Sequence, residues 1–276
     1  MSFRINTNVA AIASQRAMSA VNRETEESLS KLSQGQRITK ASDDAAGLAI
    51  SEKLKAHIRS SKQANRNAND AISLVQVAEG GLNESSSILT RMRELAIQAA
   101  TDTLSDTERG MTDFEYQTLK NELDRIAQVT QFNGKKVLNG TNLAMDFQVG
   151  VGEDSADDRI SMNTASFNAT TAGLGVSGLS VSSKASAQNS IANIGMALDK
   201  LSSQRSLLGS IQNRLVVSSS NLDTYSLNMS ASNSRIRDLD YADEASKQAR
   251  NSVVQSAATA VGAQANTQGS NALKLL

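Results

Sequence analysis

The chain has 276 residues, enough for one large or two small domains, with no Cys, Pro or Trp and a single His. Lys+Arg and Asp+Glu balance at 28 each, which removes any general reason to bind nucleic acid or an anionic membrane. Disulfides are excluded, aromatics at 3% supply few bulky core side chains, and no segment is apolar enough to span a bilayer or resembles a cleavable secretory signal.

In chain order, residues 8–34 read as a helix with Thr7 or Asn8 placed to cap it and Gly35 placed to stop it. Its apolar face is thin: Val9, Ile12, Ala17, Ala20, Val21, Leu29 and Leu32. Residues 45–100 follow as one very long helix. Positions 64, 68, 71, 75, 78, 82, 85, 89, 92, 96 and 99 hold Ala, Ala, Ala, Val, Ala, Leu, Ser, Leu, Met, Ala and Ala, a seam at strict 4-3 spacing. Ile58, Ile72, Leu74, Ile88 and Leu95 widen that seam, and Glu79-Gly80-Gly81 is its weak spot, expected to bend it. At 1.5 Å per residue such a helix is ~84 Å long. A compact globule of this length has a radius of gyration of only ~19 Å, so the reading is an elongated rod.

Ser105/Glu108 and Thr112/Glu115 have capping-box spacing, and a helix runs on to about residue 129. The pattern changes over 131–183. "FNGKKVLNG" carries two Asn-Gly turn signals around a short strand, and "MDFQVGVG" and "RISMN" read as strands. "TASFNATTAGLGVSGLSVSS" is loop-like in composition and is expected at the surface. The last third is helical again: Ile194, Leu201, Leu208, Leu215, Leu222, Met229 and Ile236 recur every seven residues. After "RIRDLDYADE", residues 242–265 form an Ala-rich helix with Val253, Val254 and Val261.

Both chain ends are thus thin, small-residue amphipathic helices that bury little area at ~25 cal/mol/Å². Isolated helices of this kind are marginal in water, so the ends are expected to pair with each other and with further copies of the chain.

Catalytic chemistry finds no footing. There is no Cys nucleophile, and the one imidazole, His57, lies on the continuation of the heptad seam, where a packed helix residue is the ordinary reading. No metal-ligand spacing occurs, and no cofactor-binding glycine pattern is present. The basic stretch 53–66 has no interleaved aromatics for stacking bases, so it reads as a solvated or subunit-contacting face.

The blocks "SDDAAGLAISEKLKAHIR", "ISLVQVAEGGLNE", "RMRELAIQAA", "QFNGKKVLNG", "LGSIQNRL" and "SRIRDLDYA" resemble, in order and spacing, those of bacterial flagellins. The terminal "FRINTNVAAIASQR" and "ANTQGSNALKLL" fit the same pattern. The resemblance covers about the first 150 and last 90 residues. It implies a mainly α fold, an elongated rod of long antiparallel coiled-coil-like helices from both chain ends, with a small β-hairpin region mid-sequence. It also implies an inner terminal-helix domain from 1–42 plus 236–276 and an outer rod domain from 43–235, its last helix covering about 186–235. A short insert of about 50 residues marks a minimal member without extra outer domains.

Function follows from the same resemblance: a subunit of the helical flagellar filament used for motility, exported unfolded through the flagellar type III apparatus with the N-terminus as signal. It implies no cofactor and no catalysis. The implied partners are copies of itself, an export chaperone at the C-terminal helix, the filament cap and hook-junction proteins, and the flagellin-sensing Toll-like receptor. The receptor contacts of the family fall on Arg91, Leu95 and Glu115. Asp43, Asp44, Gly47 and Leu48 then read as a joint: two carboxylates at a helix start, a slim first turn, and the beginning of the apolar surface. Three alternatives stand beside the filament subunit: a hook–filament junction protein, a periplasmic flagellin of the spirochaete type, and a coiled-coil scaffold.

Overall fold

The computed structural model describes residues 7–141 and 144–273; the "FRIN" and "KLL" ends of the motifs above lie outside them. The elements in order are α1 (Val9–Gln34), α2 (Ala45–Ala99), α3 (Asp106–Val129), β1 (Gln131–Phe132), β2 (Lys135–Lys136), β3 (Ala144–Gln148), β4 (Arg159–Asn163), a 3-10 turn (Thr164–Ser166), α4 (Thr171–Leu174), α5 (Lys184–Arg237) and α6 (Tyr241–Leu273). They divide into two compact units. One comprises the chain up to Ile58 and from Leu227 onward, and the other is Arg59–Ser226. These limits fall within α2 and α5; a limit at 42/43 falls in the loop before α2 and one at 235/236 in the last turn of α5.

In the first unit, α1 begins where Asn8 Oδ1 accepts the Ala11 N–H at 3.1 Å and ends where Gly35 takes a left-handed φ of 65°. Only glycine adopts that conformation without strain, and its N–H closes on the Lys31 carbonyl. Helix α6 starts at Asp240, whose Oδ1 accepts the N–H groups of Ala242 and Asp243. The two terminal helices lie antiparallel, with Asn8 Nδ2 donating to Ala265 O at 2.9 Å and Gln255 Nε2 to Asn22 Oδ1 at 2.9 Å.

The second unit carries the main core. All eleven seam positions from Ala64 to Ala99 are buried, as are Ile194, Leu201, Leu208, Leu215 and Leu222 of the seven-residue series; Met229 and Ile236, in the first unit, are half-buried. Small residues dominate the α2 stripe and let α5 approach closely. Ser61 Oγ donates to Leu222 O at 3.1 Å, and Asn65 Nδ2 reaches Asp223 Oδ1 at 2.6 Å. Helix α3 starts with the expected capping box at Ser105 and Glu108. Thr112 does not cap anything: its hydroxyl donates back to Glu108 O within the helix. Arg109 is buried and closes the end of α2, donating to the carbonyls of Ala99, Thr101 and Leu104. Tyr116 is fully enclosed, and burial pushes its phenol up to about 12.

Glu79-Gly80-Gly81 lies inside α2, which runs through it without a break. Gly81 is there for packing. A Cβ at that position would sit 2.6 Å from Leu138 Cδ1 and 2.8 Å from Thr130 Oγ1, while Gly80 faces open space. The first Asn-Gly forms the tip of the β1–β2 hairpin, with Gln131 opposite Lys136 and Phe132 opposite Lys135. Asn133 and Gly134 have φ of 49° and 76°, both positive as a two-residue primed turn requires. Strands β3 and β4 pair antiparallel in the register Ala144↔Asn163 to Gln148↔Arg159, turning Met145, Ile160 and Met162 into the core.

Residues 164–183 correct the expectation of a surface loop. Phe167, Ala169, Leu174, Val176 and Val181 are buried, and carboxylates of α3 tie the segment down. Asp124 accepts both the N–H and the hydroxyl of Thr171 at 2.8 Å each, and Asp113 accepts the Val181 N–H at 2.7 Å. Polar, glycine-rich composition hid this, because the apolar residues are spaced irregularly and the partners lie about sixty residues away.

Candidate functional site

Three features of the surface stand out, and the first is the α1–α6 pair. The inward positions of α1 are Ala11, Ser14, Met18, Val21, Thr25, Ser28 and Leu32; those of α6 are Glu244, Gln248, Asn251, Gln255, Ala258, Gly262 and Ala265. Both series alternate by three and four, so the helices meet along a heptad seam. The seam is small and polar, and within it Ser28 Oγ and Gln248 Oε1 are buried without a hydrogen-bond partner. Each such orphan costs roughly 1–3 kcal/mol. Apart from Met18, Val21 and Leu32, the larger apolar side chains point the other way: Val9 is 64% exposed and Val253 69%, and Ile12, Leu29, Val254 and Val261 are exposed with them. Of the thin apolar face of α1, Val21 and Leu32 thus serve the intrachain seam, while Val9, Ile12 and Leu29 are left exposed.

The second feature, also in the first unit, is the meeting of the loop after α1 with the loop before α6. Arg37 N donates to Arg237 O at 2.7 Å and Leu239 N to Gly35 O at 3.1 Å, with Gln36 bridged to Asp238. Arg237, its side chain only 15% exposed, donates Nε to Gln36 Oε1 at 3.0 Å and is ion-paired with Glu52. Tyr241 Oη donates to Leu32 O at 2.6 Å.

The four joint candidates sit beside this junction, and the two carboxylates divide the work. Asp44 caps α2, its Oδ1 accepting the Gly47 N–H at 2.8 Å. Asp43 serves the preceding turn instead: its Oδ2 accepts the N–H groups of Thr39 and Lys40 and the Thr39 hydroxyl. Those bonds, the Thr39 N–H first, hold its carboxyl below the usual carboxylate range. Gly47 is buried because the Asp44 carboxylate and Ile38 fill the space of its missing side chain; a Cβ would lie 2.3 Å from Asp44 Oδ2. Leu48 is half-buried. Gln36, Glu52, Arg237 and Tyr241 were not singled out from sequence, since their partners lie about two hundred residues away. The available signal was the charged "RIRDLDYADE" breaking the heptad series, as "GQRITKASDD" breaks the helix near the other end.

The third feature lies in the second unit. Arg91 Nε and Nη2 donate to Glu115 Oε1 at 3.1 and 2.9 Å, and its Nη1 donates to Glu94 Oε2 at 2.9 Å. The two carboxylates, Glu94 first, raise the guanidinium pKa further. Arg91 and Glu115 are therefore brought together on the surface. Leu95 is not with them: it is 2% exposed and belongs to the core, the same position that widens the seam of α2. Ile97, Met111 and the 77%-exposed Phe114 are the exposed apolar residues of this end of α2 and α3, which the sequence reading passed over.

Among the described residues no group of three or more His or carboxylate side chains could hold a metal ion, and no helix is long and apolar enough to cross a membrane. His57 is half-buried.

Comparison with known proteins covers nearly the whole chain. Residues 5–143 match the bacterial flagellin N-terminal helical region and residues 191–276 the bacterial flagellin C-terminal helical region. Similar proteins include a flagellin of Halalkalibacterium halodurans, 40% identical over 272 residues, and one of Bacillus subtilis, 38% identical over 307, each alignment covering 99% of both chains. The flagellar filament 30.7 kDa core protein of Treponema maltophilum is 37% identical, again over 99% of both. A crystal structure of Bacillus cereus flagellin matches with a TM-score of 0.50 at 33% identity, over 61% of this chain and 94% of that one.

Proposed function

The chain belongs to the bacterial flagellin family, and from that premise we propose that it is a structural, non-catalytic subunit whose copies build a flagellar filament through the outward faces of its terminal helices. The observation that carries this reading is the inversion in the α1–α6 pair. Polar, partly orphaned groups line the intrachain seam, and Val9, Ile12, Val253, Val254 and Val261 face out. A helix pair so arranged gains little from its own seam and gains its apolar burial only from neighbours. Replacing Ile12, Val254 and Val261 together by Ser tests it. Monomer helicity should be retained, because none of the three lies in the seam, while seeded polymerisation measured by sedimentation should fail. Wild-type polymerisation by the triple variant would overturn the assignment of this face.

The chain is a short member of its family, and its proposed export route is the flagellar type III apparatus in unfolded form, with an export chaperone at α6 and cap and hook-junction proteins as partners at the filament ends. An extracellular filament is the first reading of location. A periplasmic filament is the second, favoured by the 37% identity to the Treponema core protein. The Arg91–Glu115 surface is proposed to face the flagellin-sensing Toll-like receptor, with Leu95 supporting it from beneath. A reporter-cell assay on monomer tests this: silence of the correctly folded wild-type protein would sink it.

A further inference from the structure

The two Asn-Gly dipeptides are chemically alike in sequence and differently held in the fold. Asn133 is exposed, has φ of 49°, and makes no hydrogen bond to the described chain through its side chain. Nothing lies within 4 Å of where a Gly134 side chain would be. The hairpin around them has strands of two residues each, so opening its tip disturbs little. Asn139 is clamped. Its Oδ1 accepts the N–H and hydroxyl of Thr141 at 3.2 and 2.7 Å, it is bridged to Asn168, and Gly140 is pressed against the Asn168 side chain.

We propose that Asn133-Gly134 is a site of spontaneous deamidation, an age-dependent chemical modification confined to the hairpin tip, and that Asn139-Gly140 is protected. In the first step Gly134 N attacks Asn133 Cγ. A C–N bond forms, the side-chain nitrogen leaves as ammonia, and a five-membered succinimide remains. Water then opens the ring. Attack at Cγ restores an ordinary aspartate, and attack at the backbone carbonyl carbon leaves an isoaspartate whose main chain runs through Cβ and Cγ. Water is the only co-reactant and nothing is oxidised or reduced.

Either product places a new carboxylate beside Lys135 and Lys136 in a chain whose formal charges otherwise balance. The isoaspartyl product also lengthens the two-residue turn, so Phe132 can no longer stay opposite Lys135. Val137 and Leu138, which follow immediately, are buried, and Leu138 packs on Gly81. The tip therefore lies only a few residues from the segment that packs on α2.

The test is to age the intact, folded protein in mildly alkaline buffer and to follow both sites by peptide mapping, with hydroxylamine cleavage to trap the succinimide. A urea-denatured sample runs in parallel. Conversion at Asn133 should be at least about tenfold faster than at Asn139 in the folded protein, and the two should converge in the denatured chain. Equal rates in the folded protein, or Asn139 ahead, would overturn the proposal. So would a folded protein inert at both sites while the denatured chain converts both, because the hairpin would then be protecting Asn133. An Asn133→Gln variant should lose the fast site and keep the slow one.

Discussion

Gly80 and Gly81 are neighbours in one helix, so replacing each by Ala changes helix propensity alike and local packing very differently. In a helix interior Gly→Ala favours the folded state by about 0.8–1.0 kcal/mol. Gly80 faces open space, so Gly80→Ala should realise that gain in full. At Gly81 the new methyl would lie 2.6 Å from Leu138 Cδ1 and 2.8 Å from Thr130 Oγ1. Neither neighbour yields easily. Leu138 is fully buried with its carbonyl bound to Ala169 N at 2.9 Å, and the Thr130 hydroxyl is committed to Ile126 O at 2.7 Å. Overpacking of this kind costs roughly 1–3 kcal/mol. Because the propensity gain cancels between the two variants, their difference in stability should equal that cost, with Gly80→Ala the more stable. Urea unfolding of the monomer followed by far-UV circular dichroism measures it directly. In thermal melts the variants should separate by about 2–12 °C, at ~2–4 °C per kcal/mol for a unit of this size. Agreement of the two variants within about 0.5 kcal/mol would refute the claim that Gly81 is kept for close approach.

Arg109→Met should destabilise the monomer by roughly 2–3 kcal/mol, since three carbonyls at the end of α2 lose a charged donor while the aliphatic volume is kept; urea midpoints check it. Asp44→Ala should cost about 0.5–2 kcal/mol through loss of the α2 cap, and the Asp43→Ala/Asp44→Ala pair should slow seeded filament growth; normal growth would show the turn is dispensable to assembly. The Asp43 carboxyl is lowered on folding, so its contribution is present above the unfolded pKa and fades as pH falls through the folded one. Asp43→Asn should therefore be less stable than wild type near neutrality and converge with it in acid, as read from urea midpoints over descending pH. A gap unchanged at the lowest pH would show that the charge does not hold the turn.

Periodic features were legible in the amino-acid order because their signal repeats. The α2 stripe from Ala64 to Ala99, the Ile194–Leu222 series, the Ser105 capping box and the Asn133-Gly134 turn all occupy the places their spacing implies. Features that depend on two distant segments were not. The Arg237–Gln36 and Asp124–Thr171 contacts join residues with no common pattern, and hydrogen-bonding demand from buried backbone carries no periodicity. Asp43 and Asp44 look interchangeable as letters, yet one closes a turn and the other caps a helix, because the first meets N–H groups behind it in the chain and the second meets one ahead.

By itself, then, the sequence determined which long segments are helices and where most of them stop, since caps, turn residues and 3.5-residue spacing act over a few neighbours; α6, expected to end at 265, runs on to Leu273 because no stop signal there ends it. Its motifs were enough to assign the family. Only the tertiary structure decided which side of α1 and α6 is spent inside the chain. In α1 hydrophobicity marked Val9, Ile12, Val21, Leu29 and Leu32 as one apolar face, and the fold turned Val21 and Leu32 inward with Ser14, Thr25 and Ser28 while leaving Val9, Ile12 and Leu29 exposed. The physical reason is that apolar side chains mark a surface to be buried without naming the chain that buries it.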